Sequence, residues 1–107
     1  MPETVMATYR VHPDHEPAFR ALLARHVPTL RGLGLATDTP AQVFRHEEDG
    51  RPVYVEVFDW TDAQSARTAH ETPQVMAIWE PMGELVEARG GRPSMEFPHV
   101  ARVTDLP

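Results

Sequence analysis

Histidine and tryptophan side chains in the second half of the chain offer the clearest material for chemistry. His70, one of six histidines, precedes the segment Glu71-Thr72-Pro73 and lies nine positions before Trp79. Histidine exchanges protons near neutral pH, and an aromatic ring can stack on a flat ligand. His70 is therefore a candidate acid or base beside Trp79. The competing interpretation is structural: His70 would cap the end of a helix, and Trp79 would pack in the core.

Four other histidines are candidates for the same or a separate site. His26 interrupts the edge of the apolar stripe of a predicted helix, and His99 lies on the predicted last strand. Either could join the site of His70, or be held by purely structural hydrogen bonds. His12 and His15 stand next to acidic residues, as metal ligands often do, but they span a strand-to-helix turn and no third ligand is specified. We predict no metal site.

A carboxylate stands inside an otherwise apolar segment. The run Val53–Phe58 is apolar apart from Glu56, as expected of a central strand with material on both faces. A buried carboxylate is costly unless it is paired. We predict that Arg10 on the neighbouring strand pairs with Glu56, and the alternative is a catalytic acid at this position.

Apolar periodicity predicts the elements that must position these residues. Alternation over residues 4–12 predicts a strand, and helical spacing after Asp14 predicts an amphipathic helix that ends near Gly32 and Gly34 and is broken or kinked at Pro28. Residues 41–47 and 53–60 flank an Asp-Gly pair, which is a strong hairpin signal.

The second half of the chain repeats the pattern of helix and then strand. Thr61 and Gln64 have the spacing of a capping box, which predicts a short helix to about Glu71. Thr72-Pro73 opens a longer helix that Gly90-Gly91 ends. Residues 95–103 predict a final strand, which Pro98 confines to a sheet edge or a bulge.

The order β-α-β-β-α-β predicts one α+β domain over residues 1–107. We expect a ferredoxin-like, four-stranded antiparallel sheet of order 4-1-3-2 with its helices on one face. The other face would expose a large apolar surface, made of Met6, Thr8, Tyr54 and Phe58. Two such sheets packed face to face would bury it, so we expect a homodimer. Its interface is predicted to contain Arg10, Tyr54, Glu56 and Phe58.

Composition limits the partners. The formal net charge is −6, with 16 acidic and 10 basic residues, so phosphate backbones and anionic lipids would repel the chain. We predict no nucleic-acid or membrane partner. There is no cysteine, no apolar run near 18 residues and no basic, apolar leader, so a cytoplasmic location is expected.

The chain resembles the antibiotic biosynthesis monooxygenase-like branch of the dimeric α+β barrel superfamily over nearly its whole length. Three segments carry the resemblance: Val11-His12-Pro13 before a helix with Phe19, Phe58-Asp59-Trp60 at the end of the hairpin, and Ala69-His70-Glu71-Thr72-Pro73 followed by Trp79. The resemblance implies a homodimer with an apolar pocket between helices and sheet in each subunit. In enzymes of this branch, molecular oxygen oxidises a phenolic substrate there without metal or flavin.

The resemblance implies a cofactor-independent monooxygenase acting on an aromatic or otherwise apolar small molecule. His70 would be catalytic, and Tyr9, His26, Trp79 and His99 would bind the ligand. Two alternatives stay open. The protein could be a non-catalytic ligand-binding or structural homodimer, in which case a core filled by its own side chains would favour the structural role. It could also bind or degrade haem, with His70 replacing the axial histidine that related proteins carry near the position of Trp79.

Overall fold

The structure is a computed structural model that describes residues 1–107. Its antiparallel sheet contains five strands: β1 (Glu3–Arg10), β2 (Gln42–Glu48), β3 (Arg51–Trp60), β4 (Met95–Glu96) and β5 (His99–Val100). Three α-helices cover one face of the sheet: α1 (Glu16–Gly32), α2 (Ser65–His70) and α3 (Pro73–Leu85). A single 3-10 turn, Pro13–His15, connects β1 to α1. None of the helices is both long enough and apolar enough to cross a membrane.

The strand order β2-β3-β1-β4 confirms the predicted ferredoxin-like topology. The predicted final strand is divided in two, because β4 and β5 pair separately with β1 on either side of Phe97-Pro98. Proline has no N–H to donate, but the Pro98 carbonyl still accepts a 3.0 Å hydrogen bond from the N–H of Met6. The break therefore leaves the sheet edge joined, and β4 and β5 keep the same register against β1 on both sides of it.

The predicted hairpin is present between β2 and β3. Asp49 and Gly50 both have positive φ angles, of 52° and 77°, as a two-residue turn that matches strand twist requires. The register that follows pairs Glu48 with Arg51. This turn fixes the register of β3 against β2.

The helix α1 ends at Gly32, as predicted, but Pro28 does not break it, and Leu30 beyond the proline is buried. The other two helices differ from their predicted bounds. The helix α2 begins later than predicted because the carboxylate of Asp62, not Thr61, accepts hydrogen bonds of 2.9 Å from the N–H groups of Gln64 and Ser65. The helix α3 ends at Leu85, after which the chain runs beside β1.

The prediction that Tyr54 and Phe58 lie on the uncovered face is wrong. Directly opposed residues of antiparallel strands share a face, and β1 and β3 oppose Val5 to Phe58, Ala7 to Glu56 and Tyr9 to Tyr54. All of these are buried on the helix-covered face. The run Val53–Phe58 is apolar at alternate positions on both faces, so its parity cannot be read from hydrophobicity.

The uncovered face carries a different apolar set. It contains side chains from four strands, each fully or partly exposed: Met6, Phe44, Val55, Val57 and Val100. Phe44 is 54% exposed and Met6 40% exposed. The apolar surface that the sequence places on this face is therefore present, but other residues form it.

Candidate functional site

A cavity of about 350 Å³ lies between the helices and the sheet. Its wall is mostly apolar and includes all five residues predicted to act on a ligand: Tyr9, His26, His70, Trp79 and His99. The strands β1 and β5 supply the first and last of these, and each of the three α-helices supplies one of the others. Folding thus brings together residues that are up to 90 positions apart in the chain.

The deepest polar groups of the site form one hydrogen-bonded chain. The hydroxyl of Tyr9 donates to Oε1 of Glu56 at 2.8 Å. The Nδ1 atom of His26 lies 2.9 Å from the same oxygen, and the indole Nε1–H of Trp79 donates to Nε2 of His26 at 2.8 Å. Tyr9, His26 and Glu56 are at most 2% exposed. The three elements β1, α1 and α3 are therefore joined through a single carboxylate on β3.

The donors and acceptors in this hydrogen-bonded network determine which atoms of His26 and Tyr9 carry a proton. An indole N–H can only donate, so Nε2 of His26 must accept and carries no proton. The proton of the neutral ring is then on Nδ1, which donates to Glu56. Burial, followed by the charge of the Glu56 carboxylate, raises the pKa of Tyr9 well above its usual value. Tyr9 therefore stays a neutral donor, and Glu56 accepts from two directions.

The predicted ion pair between Arg10 and Glu56 is wrong. Arg10 has the opposite parity to Tyr9, so it points away from the helices and donates to Glu96 at 2.6 Å and to the Pro93 carbonyl at 2.8 Å. It also lies 3.4 Å from Glu48. Glu56 has no guanidinium neighbour and is satisfied by neutral donors.

His70 occupies the end of α2 at the mouth of the cavity. Its Nδ1 lies 2.8 Å from the backbone carbonyl of Ala66, which can only accept, so Nδ1 carries the proton. The neutral ring then has its lone pair on Nε2, which makes no hydrogen bond within the chain. The ring of His70 stands edge to face against Trp79, with centroids 4.8 Å apart. An available basic nitrogen and an aromatic wall are therefore adjacent.

His99 lies at the exposed edge of the cavity on β5. Its Nδ1 is 3.2 Å from a carboxylate oxygen of Glu3. Several wall residues were not predicted from the sequence, among them Met76, Met95 and Phe97. The residues Met95, Phe97 and His99 share one parity, because β4 and β5 pair with β1 in a single register. Alternation along the last strand could therefore have indicated Met95 and Phe97.

The unpaired polar atoms of the cavity wall are mainly acceptors. No arginine lines the cavity, and the N–H of Trp79 and the O–H of Tyr9 are already engaged. Glu80 at the rim makes no hydrogen bond within the chain, and Nε2 of His70 is free. This arrangement suits a ligand that donates a hydrogen bond and that carries no negative charge.

Two further surface features lie outside the cavity. A wide, shallow depression is lined by Pro13, Glu16, Pro17, Arg20 and Arg45. The rings of His12 and His15 lie 5.0 Å apart at the 3-10 turn, and Nδ1 of His12 accepts from the N–H of Asp14 at 3.1 Å. No cluster of three or more potential metal-ligating side chains occurs in the structure.

Known structures share this architecture, although no protein-family model and no curated protein matches the sequence. SnoaB, a cofactor-independent oxygenase from Streptomyces nogalater, is 18% identical, with a TM-score of 0.70 over 99% of this chain and 97% of that chain. A conserved protein from Methanosarcina mazei is 14% identical, with a TM-score of 0.73 over 96% and 94%. An antibiotic biosynthesis monooxygenase is 15% identical, with a TM-score of 0.71 over 97% and 100%. The chain therefore has the ferredoxin-like α+β fold of the antibiotic biosynthesis monooxygenases, as its motifs predict.

Proposed function

We propose that this protein is a cofactor-independent monooxygenase that oxidises an uncharged phenol in the cavity between helices and sheet. The observation that carries the proposal is the unpaired Nε2 of His70 beside Trp79 at the mouth of an apolar cavity. The fold shared with SnoaB, itself a cofactor-independent oxygenase, supports it. The volume of about 350 Å³ is within the usual range of small-molecule sites, which favours a ligand over a site filled by the protein itself.

The proposed reaction takes all its electrons from the substrate. Nε2 of His70 removes the phenol proton, and the electron-rich ring of the phenolate reduces dioxygen and forms a carbon–oxygen bond to it. The oxygen–oxygen bond then breaks, the ring C–H proton is lost, and water leaves. One phenol and one dioxygen thus yield one quinone and one water, with no added reductant. An apolar wall favours the binding of dioxygen and keeps water away from the phenolate.

The remaining wall residues have binding roles in this proposal. Trp79 and the ring of Tyr9 form flat walls, and His99 borders the entrance. His26 does not act directly on the phenol, because both of its nitrogens are already hydrogen-bonded. The base is therefore assigned to His70 alone.

Oxygen uptake with a panel of phenols and hydroquinones tests the proposal. We expect the His70→Gln variant to lose about 10²-fold or more in kcat with little change in KM, because a general base acts on the proton that is transferred in the transition state. His15→Gln, an exposed histidine outside the cavity, is the matched control. Unchanged turnover in His70→Gln together with a lower Tm would make His70 a helix cap. No oxygen uptake by the native protein with any phenol would instead favour a ligand-binding homodimer without catalysis.

We also propose that two copies pair through the uncovered sheet face, as the resemblance implies. Phe44 and Val43 are adjacent on β2 and similarly exposed, at 54% and 50%, but only Phe44 is on the uncovered face. Phe44→Asp should shift the protein toward monomer in light scattering, because it places a charge in the interface. Val43→Asp should leave a dimer. Equal masses for both variants would contradict this interface.

A further inference from the structure

We propose that Glu56 is a positioning residue, which acts through His26 to hold the indole of Trp79 in the orientation that makes it a wall of the ligand site. The inference rests on the proposed function for its effect on ligand binding. The hydrogen-bond arrangement from which it is drawn does not depend on turnover.

The two residues at the ends of this hydrogen-bond network, Glu56 and Trp79, can each play only one role in a hydrogen bond. A carboxylate of Glu56 can only accept a hydrogen bond, and the indole N–H of Trp79 can only donate one. The imidazole of His26 bridges them, with Nδ1 at 2.9 Å from Glu56 and Nε2 at 2.8 Å from Trp79. Only a neutral ring with its proton on Nδ1 satisfies both contacts. Glu56 therefore determines which nitrogen of His26 is available to Trp79.

The cost of burying Glu56 supports a role beyond packing. Glu56 is 1% exposed in the centre of the sheet, and no arginine contacts it. Well-packed apolar residues at such a site are often as stabilising as buried charges or more so. The network nevertheless leaves no buried side-chain nitrogen or oxygen without a partner. A complete polar network of this kind defines orientation more sharply than apolar contacts do.

The orientation of Trp79 matters because of what surrounds it. The indole is only partly buried, and its single polar atom is the one that His26 holds. Trp60 stands edge to face against it at 6.4 Å, and His70 does so at 4.8 Å. Rotation of the indole would therefore change both the shape of the cavity wall and the packing around His70, the proposed base.

Two nuclear magnetic resonance measurements test the positioning directly. Nitrogen shifts of His26 should show a protonated Nδ1 and an unprotonated Nε2. The indole N–H of Trp79, assigned with the aid of Trp60→Phe, should exchange slowly with solvent, and about tenfold faster in Glu56→Gln, whose amide no longer enforces one tautomer. Protonation of Nε2, or equal exchange in the variant and the native protein, would overturn the proposal.

A matched control separates this path from general loosening of the core. Tyr9→Phe removes the other donor to Glu56 but leaves the contacts of His26 with Glu56 and Trp79 in place. We expect the Trp79 N–H to stay protected in Tyr9→Phe. Equally fast exchange in Tyr9→Phe and Glu56→Gln would assign both residues to core stability alone and contradict positioning.

A double-mutant cycle with 2-naphthol as the probe gives the functional readout. Glu56→Gln should weaken binding of 2-naphthol about fivefold in the native background and have almost no effect in a Trp79→Phe background. The two effects are coupled because Glu56 acts on the ligand only through the indole of Trp79. Additive losses would contradict positioning of Trp79 by Glu56. If 2-naphthol and the other phenols fail to bind the native protein, the proposed function fails, whereas the tautomer and exchange results still decide the role of Glu56.

Discussion

The two faces of the sheet use the same strands for different purposes. On the helix-covered face, Glu56 and Tyr9 join a buried polar network at the floor of a cavity. On the uncovered face, the neighbouring residues Val55 and Val57 form an apolar surface, and Arg10 is paired near the sheet edge. Chemistry-bearing residues therefore alternate with surface-forming residues along one strand, and a shift of one position exchanges the two roles.

Adjacent substitutions on β3 give the largest expected effect. Phe58 is 4% exposed in the core, so Phe58→Asp should unfold the protein, with a loss of more than about 3 kcal/mol from the lost packing and the buried charge. Val57→Asp, on the uncovered face, should keep the fold and disturb assembly instead. Circular dichroism and light scattering on both variants check this. A folded Phe58→Asp protein would contradict the assignment of faces.

The misplacement of Phe58 shows where sequence reasoning reaches its limit. Strand order and the hairpin follow from local patterns, such as the Asp49-Gly50 turn, and these predictions are confirmed. The parity of β3 has no such signal, because Val53–Phe58 is apolar on both faces. The attraction of opposite charges predicts that Glu56 pairs with Arg10, whereas the structure satisfies Glu56 with the neutral donors Tyr9 and His26.

The site could be predicted as a set of residues but not as a network. Residue type and helical position predict His26, His70 and Trp79 as site residues, and all three line the cavity. Which nitrogen each histidine uses depends on helix rotation and on backbone carbonyls such as that of Ala66, which no spacing rule specifies.

Filling the cavity should produce an intermediate effect confined to the helix-covered side. Ala66 on α2 lines the cavity, so Ala66→Phe should weaken phenol binding by about tenfold or more while leaving dimerisation unchanged. The same change at Ala77, an exposed position of α3 outside the cavity wall, is the control. Calorimetric titration with 2-naphthol measures both. Equal affinity in Ala66→Phe and the native protein would place the ligand elsewhere.

The smallest expected effect concerns a second tyrosine–glutamate pair on the helix-covered side, at the edge of the sheet. Tyr54 donates to Glu16 at 2.6 Å, as Tyr9 does to Glu56, but here Arg45 also donates to the carboxylate. Hydrogen bonds from Arg45 first, and from Tyr54 second, lower the pKa of Glu16 to about 2. The pair is partly exposed, so its contribution to stability is modest.

The sign of the pH effect follows from that lowered pKa. Because the folded pKa of Glu16 is below its unfolded value of about 4.3, the stabilisation is complete above that value and is lost as the pH falls toward 2. Replacing Arg45 with glutamine removes the main cause, so Arg45→Gln should lose less stability than the native protein between pH 5 and pH 3. Urea unfolding at the two pH values, about 5 and 3, measures the difference. Parallel losses in both proteins would show that the edge pair does not couple protonation to folding.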